Sequence, residues 1–134
     1  MSNVSRSKAR EIALQLLYQQ DQNPDIRERY EAERIEDELP KEKFASFTRM
    51  LLIGVRENLE NIDNRINKAA ANWDLERMGI CERNILRLAT FELILTDTPA
   101  PVVLNEAIEL AKLYGTADAS AFVNGVLDNI AKNL

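Results

Sequence analysis

Two groups of residues in this sequence have the types and spacing for chemistry. Arg6, Lys8 and Arg10 cluster near the amino end, and Asp118, Ala121, Gly125 and Asp128 recur at steps of three and four residues near the other. Arg6 and Arg10 share one helical face at i, i+4. Arginine binds phosphate bidentately and stacks on bases, so a basic helix start paired with a half-exposed aromatic suits single-stranded RNA. A merely solvated terminus is the plainer reading of three basic residues. The second group lies in ASAFVNGVLDNI, whose Ala119, Phe122, Val123, Val126, Leu127, Ile130 and Ala131 form one buried helical stripe. Placed at about 100° per residue, Asp118, Ala121, Gly125 and Asp128 fall on the opposite half, with Phe122 at the seam.

Gly125 in the middle of that helix is unfavourable by roughly 1 kcal/mol relative to alanine. It therefore calls for a reason. A flat outer face would let a ligand or a second backbone approach Ala121 and Gly125, with Phe122 as an aromatic edge and Asp118 as an acceptor. Alternatively, Gly125 admits a neighbouring helix of the same chain. Asn124, just past the other edge of the stripe, could hydrogen-bond a neighbouring loop or helix end.

Enzymatic chemistry has little to work with. Histidine is absent, which removes the usual general base at neutral pH and the commonest metal ligand. Cys81 is the single cysteine and has no histidine to activate it, so it reads as structural; a reducing, cytoplasmic setting fits. Glu106, Glu109 and Asp128 have neither histidine companions nor a glycine-rich phosphate loop, so no metal and no cofactor is expected. The longest apolar run, MLLI at 50–53, is far too short to span a membrane. A net charge of −5 opposes indiscriminate binding to nucleic acid, but the charge is uneven: residues 21–43 carry nine acids against five bases, after the basic start.

The elements that must position these groups are helices. With four glycines, four prolines and almost no polar/β-branched alternation, strands have little support, and 134 residues fit a single domain, 1–134. A first helix is predicted over about Ser5–Gln20, with Ala9, Ile12, Ala13, Leu16 and Leu17 inward. Its basic residues oppose the helix dipole, a conflict that points to a role other than helix stability. Pro24 opens a charge-dense second helix over about 25–37 with a weak apolar face. After Pro40 comes a long stretch striped by Phe44, Phe47, Leu51, Val55, Leu59, Ile62, Ile66 and Ala69. Gly54 beside the stripe offers room for a close crossing, and a bend is expected near 58–61.

NWDLERMG, with Trp73 as a packing anchor, leads into a central helix over about 79–97 with Ile85, Leu86, Leu88, Ala89, Leu93 and Leu95 on its apolar surface. Glu82, Arg83 and Arg87 on its polar side form surface pairs or orient a protein partner. TPAP ends that helix. The next, about 101–114, closes at Gly115, read as a left-handed residue, and Asp118 or Thr116 is placed to cap the last.

RSKAREIALQLLYQ at 6–19, LLIGV at 51–55, ERNILRLATFEL at 82–93, VVLNEAIELAKLYG at 102–115 and FVNGVLDNI at 122–130 together make the chain resemble the NusB family of bacterial transcription antitermination factors. The match runs almost end to end; the acidic region at 21–43 alone lacks clear family landmarks. The resemblance implies an all-α fold of about six to seven helices in two small helical subdomains, and a function without catalysis. It implies pairing with the small-subunit ribosomal protein that doubles as NusE. The pair would bind the boxA element of nascent ribosomal RNA leaders within an RNA polymerase antitermination complex.

By the same resemblance RNA contacts fall on Arg6, Lys8, Arg10, Asp118 and Phe122, and protein-partner contacts on Tyr18 and Glu82. This chain has Ala119, Ser120 and Ala121 where many relatives carry a basic or polar residue before FVNG, and Ser7 interrupts its basic run. Phosphate contact should be weaker accordingly, and dependence on the partner greater. Homodimerisation through the flat helix face is a further expectation. Two other functions compete: a NusB-like domain attached to an rRNA cytosine methyltransferase, for which no cofactor-binding domain is present, and a purely protein-binding helical adaptor.

Overall fold

Ser5 has extended backbone, and its hydroxyl accepts from the Lys8 backbone N–H at 3.2 Å, so the first helix starts where a capping side chain satisfies one of the free N–H groups of its first turn. In the computed structural model the described residues are 5–25, 28–70, 78–116 and 118–134, and they hold seven α-helices and no strand. These are α1 (Arg6–Gln22), α2 (Glu28–Glu38), α3 (Glu42–Glu57), α4 (Leu59–Ala69), α5 (Ile80–Leu95), α6 (Ala100–Tyr114) and α7 (Ala119–Lys132). The all-α expectation holds. The bend expected near 58–61 is a break at Asn58 that separates α3 from α4. Trp73 lies outside the described residues.

The chain forms two compact units, Met1–Gly54 and Val55–Leu134. In the first, α1 buries the expected Ala9, Ile12, Ala13, Leu16 and Leu17, and also Leu14 and Arg10, so the helix is covered on more than one stripe. Two polar contacts bind its neighbours to it. The Thr48 hydroxyl of α3, itself fully buried, donates to the Ala9 carbonyl at 2.9 Å, and Arg34 of α2 donates to the Gln15 side-chain oxygen at 2.8 Å. A buried hydroxyl needs such an acceptor, because an unmade hydrogen bond there would leave the desolvation penalty uncompensated.

In the second unit α5 is central and packs on α4, α6 and α7. Its buried set is Ile85, Leu86, Leu88, Ala89, Phe91 and Leu93 together with Asn84, Thr90 and Glu92, whereas Leu95, expected inside, is 49% exposed at the helix end. Asn84 meets its own helix, donating to the Ile80 carbonyl. Arg87 grips Asp63 of α4 through two hydrogen bonds of 2.9 Å, with both side chains largely covered. This bidentate pair fixes the α4–α5 crossing rather than decorating the surface.

Two sequence expectations fail at the α6–α7 turn. Gly115 has φ −103° and ψ −176°, extended backbone that any residue adopts, so it is not a left-handed cap. It is required for space instead: a Cβ there would stand 2.6 Å from the Ala119 Cβ and 2.8 Å from the Ala111 carbonyl oxygen. Gly115→Ala is therefore expected to destabilise the protein by about 1–3 kcal/mol, since neither neighbour is the far end of a flexible side chain. A thermal melt of the variant beside the parent checks this. Asp118 does occupy the N-cap position of α7, but its backbone is helical (φ −91°, ψ −7°) and its side chain makes no capping bond. The Ala119 N–H is met by the Thr116 backbone carbonyl, not its hydroxyl.

Candidate nucleic-acid interface

The basic cluster of α1 is built on an aromatic shelf. The i, i+4 spacing turns Arg6 and Arg10 to one side, and their guanidinium carbons stand 4.9 Å and 5.1 Å from the centre of the half-buried Phe47 ring of α3. Each such contact is favourable by about 0.5–2 kcal/mol, more where water is excluded. Their exposures differ. Arg10 is 4% exposed, so the charge that α1 presents to solvent comes from Arg6 and the half-buried Lys8. Sequence analysis placed Phe47 in an apolar stripe and missed this role, because nothing local in the sequence links a residue of α3 to a helix some forty positions earlier. Tyr18, also on α1, is 37% exposed.

The second group lies in the other unit. A groove of about 330 Å³ is lined by Met78, Gly79, Glu82, Thr116, Asp118, Ala119 and Phe122. Three elements make it: the start of α5, the α6–α7 turn and the first turn of α7. Phe122 is half-buried and Asp118 exposed. Glu82 sits in the first turn of α5, where a carboxylate complements the helix dipole, and its oxygens lie over Gly79 and face Gly115. The groove thus joins Glu82, expected to face a protein partner, to Asp118 and Phe122, expected to face RNA. Sequence spacing could not show this, since 82 and 118 are brought together only by α6 folding back on α5.

Among the described residues the groove combines one aromatic face with two carboxylates. Carboxylates accept hydrogen bonds and repel phosphate, so the arrangement suits a planar ring bearing N–H donors, while the cations of α1 suit phosphate. Cys81 stands beside it with its thiol pKa raised, first by burial and then by the Glu82 charge, which disfavours a reactive thiolate.

Along the rest of α7 the puzzle of Asn124 and Gly125 resolves as a surface feature. Both are exposed, and a Cβ on Gly125 would meet nothing within 4 Å, so no neighbouring helix explains the glycine. The Asn124 side chain makes no hydrogen bond among the described residues. Gly125→Ala is expected to stabilise the protein by about 0.5–1 kcal/mol, because helix propensity improves without a clash. Denaturant titration of the two proteins reads this directly; a loss of stability would show that the glycine serves packing.

The class of fold follows from solved structures. The chain is similar to NusB of T. maritima with a TM-score of 0.86 at 36% identity, covering 98% of this chain and 93% of that one. It is equally similar, at TM-score 0.86 and 30% identity, to a chain in a crystal structure of the antitermination factors NusB and NusE in complex with double-stranded RNA, covering 96% of this chain and 97% of that one. Residues 7–132 match the NusB family. Transcription antitermination protein NusB of Bdellovibrio bacteriovorus is 40% identical over 134 residues, 98% of each chain, and that of Nitratiruptor sp. is 43% identical over 132 residues, 98% of this chain and 94% of that one. The chain belongs to the NusB family.

Proposed function

We propose that this protein is a noncatalytic, cytoplasmic transcription antitermination factor that binds boxA-type RNA of nascent rRNA leaders together with NusE, and so supports rRNA transcription. The observation that carries this reading is the Phe122 groove in a chain of the NusB family: an aromatic face on the helix that holds FVNGVLDNI, with Asp118 at the start of that helix and Glu82 of α5 as acceptors beside it. Phe122 stacks a base, Asp118 accepts from a base N–H, and Arg6, Lys8 and Arg10 supply positive charge to phosphates, Arg10 mainly by holding the Phe47 shelf with Arg6. Tyr18 and Glu82 serve the protein partner, Glu82 at the rim it shares with Phe122.

The similar crystal structure holding NusB, NusE and double-stranded RNA supports this pairing of partners. No helix among the described residues is long and apolar enough to cross a membrane. Fluorescence anisotropy of a boxA-type RNA titrated with the protein, alone and with NusE, tests the proposal. Binding that depends on the RNA sequence and strengthens with NusE is expected. Equal, negligible binding under both conditions would remove the RNA-binding reading and leave a protein adaptor.

A further inference from the structure

A second groove opens where the C-terminal halves of α4 and α7 meet, about 610 Å³, lined by Asn64, Arg65, Lys68, Ala69, Asn129, Ile130 and Asn133. Among the described residues its cations are not paired with the nearby acids. Asp63 is taken by Arg87 and Asp128 by Lys132 at 2.8 Å. Among the described residues Arg65 reaches only the Asn61 side-chain oxygen, at 3.4 Å, and Lys68 has no ion pair. Helix C-termini would ordinarily make such a place electronegative. Here amides offset that: Asn129 donates to the Ala69 carbonyl at the end of α4, and Asn133 donates to the Asn129 carbonyl in α7.

We infer that this groove is a second RNA contact, in which Arg65 and Lys68 hold phosphates of a strand that leaves the Phe122 groove along α7. The inference rests on the RNA-binding reading above and adds a site to it. The geometry of one helix carries it. Asn129 is seven residues beyond Phe122, about 10 Å along the axis and only about 20° away around it, so both grooves open along the same side of α7. Gly125 lies between them, exposed and with no neighbour in reach of a Cβ. An unbranched, side-chain-free step there keeps the path between the grooves low.

The lining favours nucleic acid over a protein ligand. Cations beside amides are the groups that hold phosphate and sugar, whereas protein interfaces centre on buried aromatic anchors. Among the described residues this groove has none, and its apolar ones are Ala69 and the buried Ile130. Lys68 in the last turn of α4 also complements the helix dipole, but dipole pairing gives no reason for Arg65 a turn earlier beside three asparagines.

The test uses the Arg65→Ala/Lys68→Ala double variant, two exposed or half-exposed positions outside the core, with NusE present. Anisotropy is read with a boxA-type RNA of about twelve nucleotides and one extended by about twelve at both ends, at several salt concentrations. For the extended RNA the variant should bind several-fold more weakly at low salt, with its log–log salt slope reduced by about 1.4, the value for two single-strand phosphate contacts. Affinity for the short RNA should change less.

Unchanged affinity and slope for both RNAs, with the parent binding well, would overturn the second contact and leave the Phe122 reading intact. Weaker NusE binding with unchanged RNA binding would overturn it in favour of a protein surface. No RNA binding by the parent would overturn both.

Discussion

Replacing Phe122 with alanine is expected to weaken binding of a boxA-type RNA by about tenfold to a hundredfold, the equivalent of the roughly 1–3 kcal/mol that stacking one base on an aromatic ring contributes. The effect should appear as a faster release of RNA, with NusE binding unchanged. Because Phe122 is half-buried, alanine also removes some packing at the groove. Phe122→Leu controls for that loss: it restores apolar volume but no π face. Stacking predicts that leucine recovers thermal stability without recovering affinity, and recovery of both would reduce Phe122 to a packing residue.

Leu127→Ala should have the opposite profile. Leu127 is fully buried, and five residues from Phe122 it points about 140° away around α7. Truncating a buried leucine costs about 2–5 kcal/mol through lost transfer energy and the cavity left behind. For a protein of this size that lowers the melting midpoint by roughly ten degrees or more. At a temperature where the variant remains folded, RNA affinity should match the parent within about twofold, on the argument that distant, unshared sites act independently. A large affinity loss in the folded variant would show that the two sides of α7 are coupled.

Together with Gly125→Ala, these variants divide one helix into a side that holds the fold and a side left available for binding. Its buried side, Ala119, Val123, Val126, Leu127 and Ile130, uses residues chosen for volume. Its exposed positions include Asn124 and Gly125, which weaken the helix and have no side-chain or Cβ contact among the described residues to require them. Such departures from local preference collect where function competes with stability.

The sequence by itself determined the helical fold and most of the buried stripes, because apolar spacing at three and four residues depends only on the geometry of a helix. It also located the residues of α7 that face away from the core, and the motifs that mark the family. What it could not determine were contacts between elements distant along the chain. The Phe47 shelf beneath Arg6 and Arg10, and the meeting of Glu82 with Asp118 and Phe122, arise when separate helices pack, and no local pattern encodes which faces meet.

The same limit explains the misread turn. Gly115 after a helix suggests a left-handed cap by its type alone, yet its backbone is extended and glycine is kept there by the closeness of Ala111 and Ala119. Residue type reports which conformations are allowed; only the packed structure decides whether space or backbone angle is the constraint. For Gly125 the structure decided differently again, leaving its missing side chain open to solvent and so to whatever binds along α7.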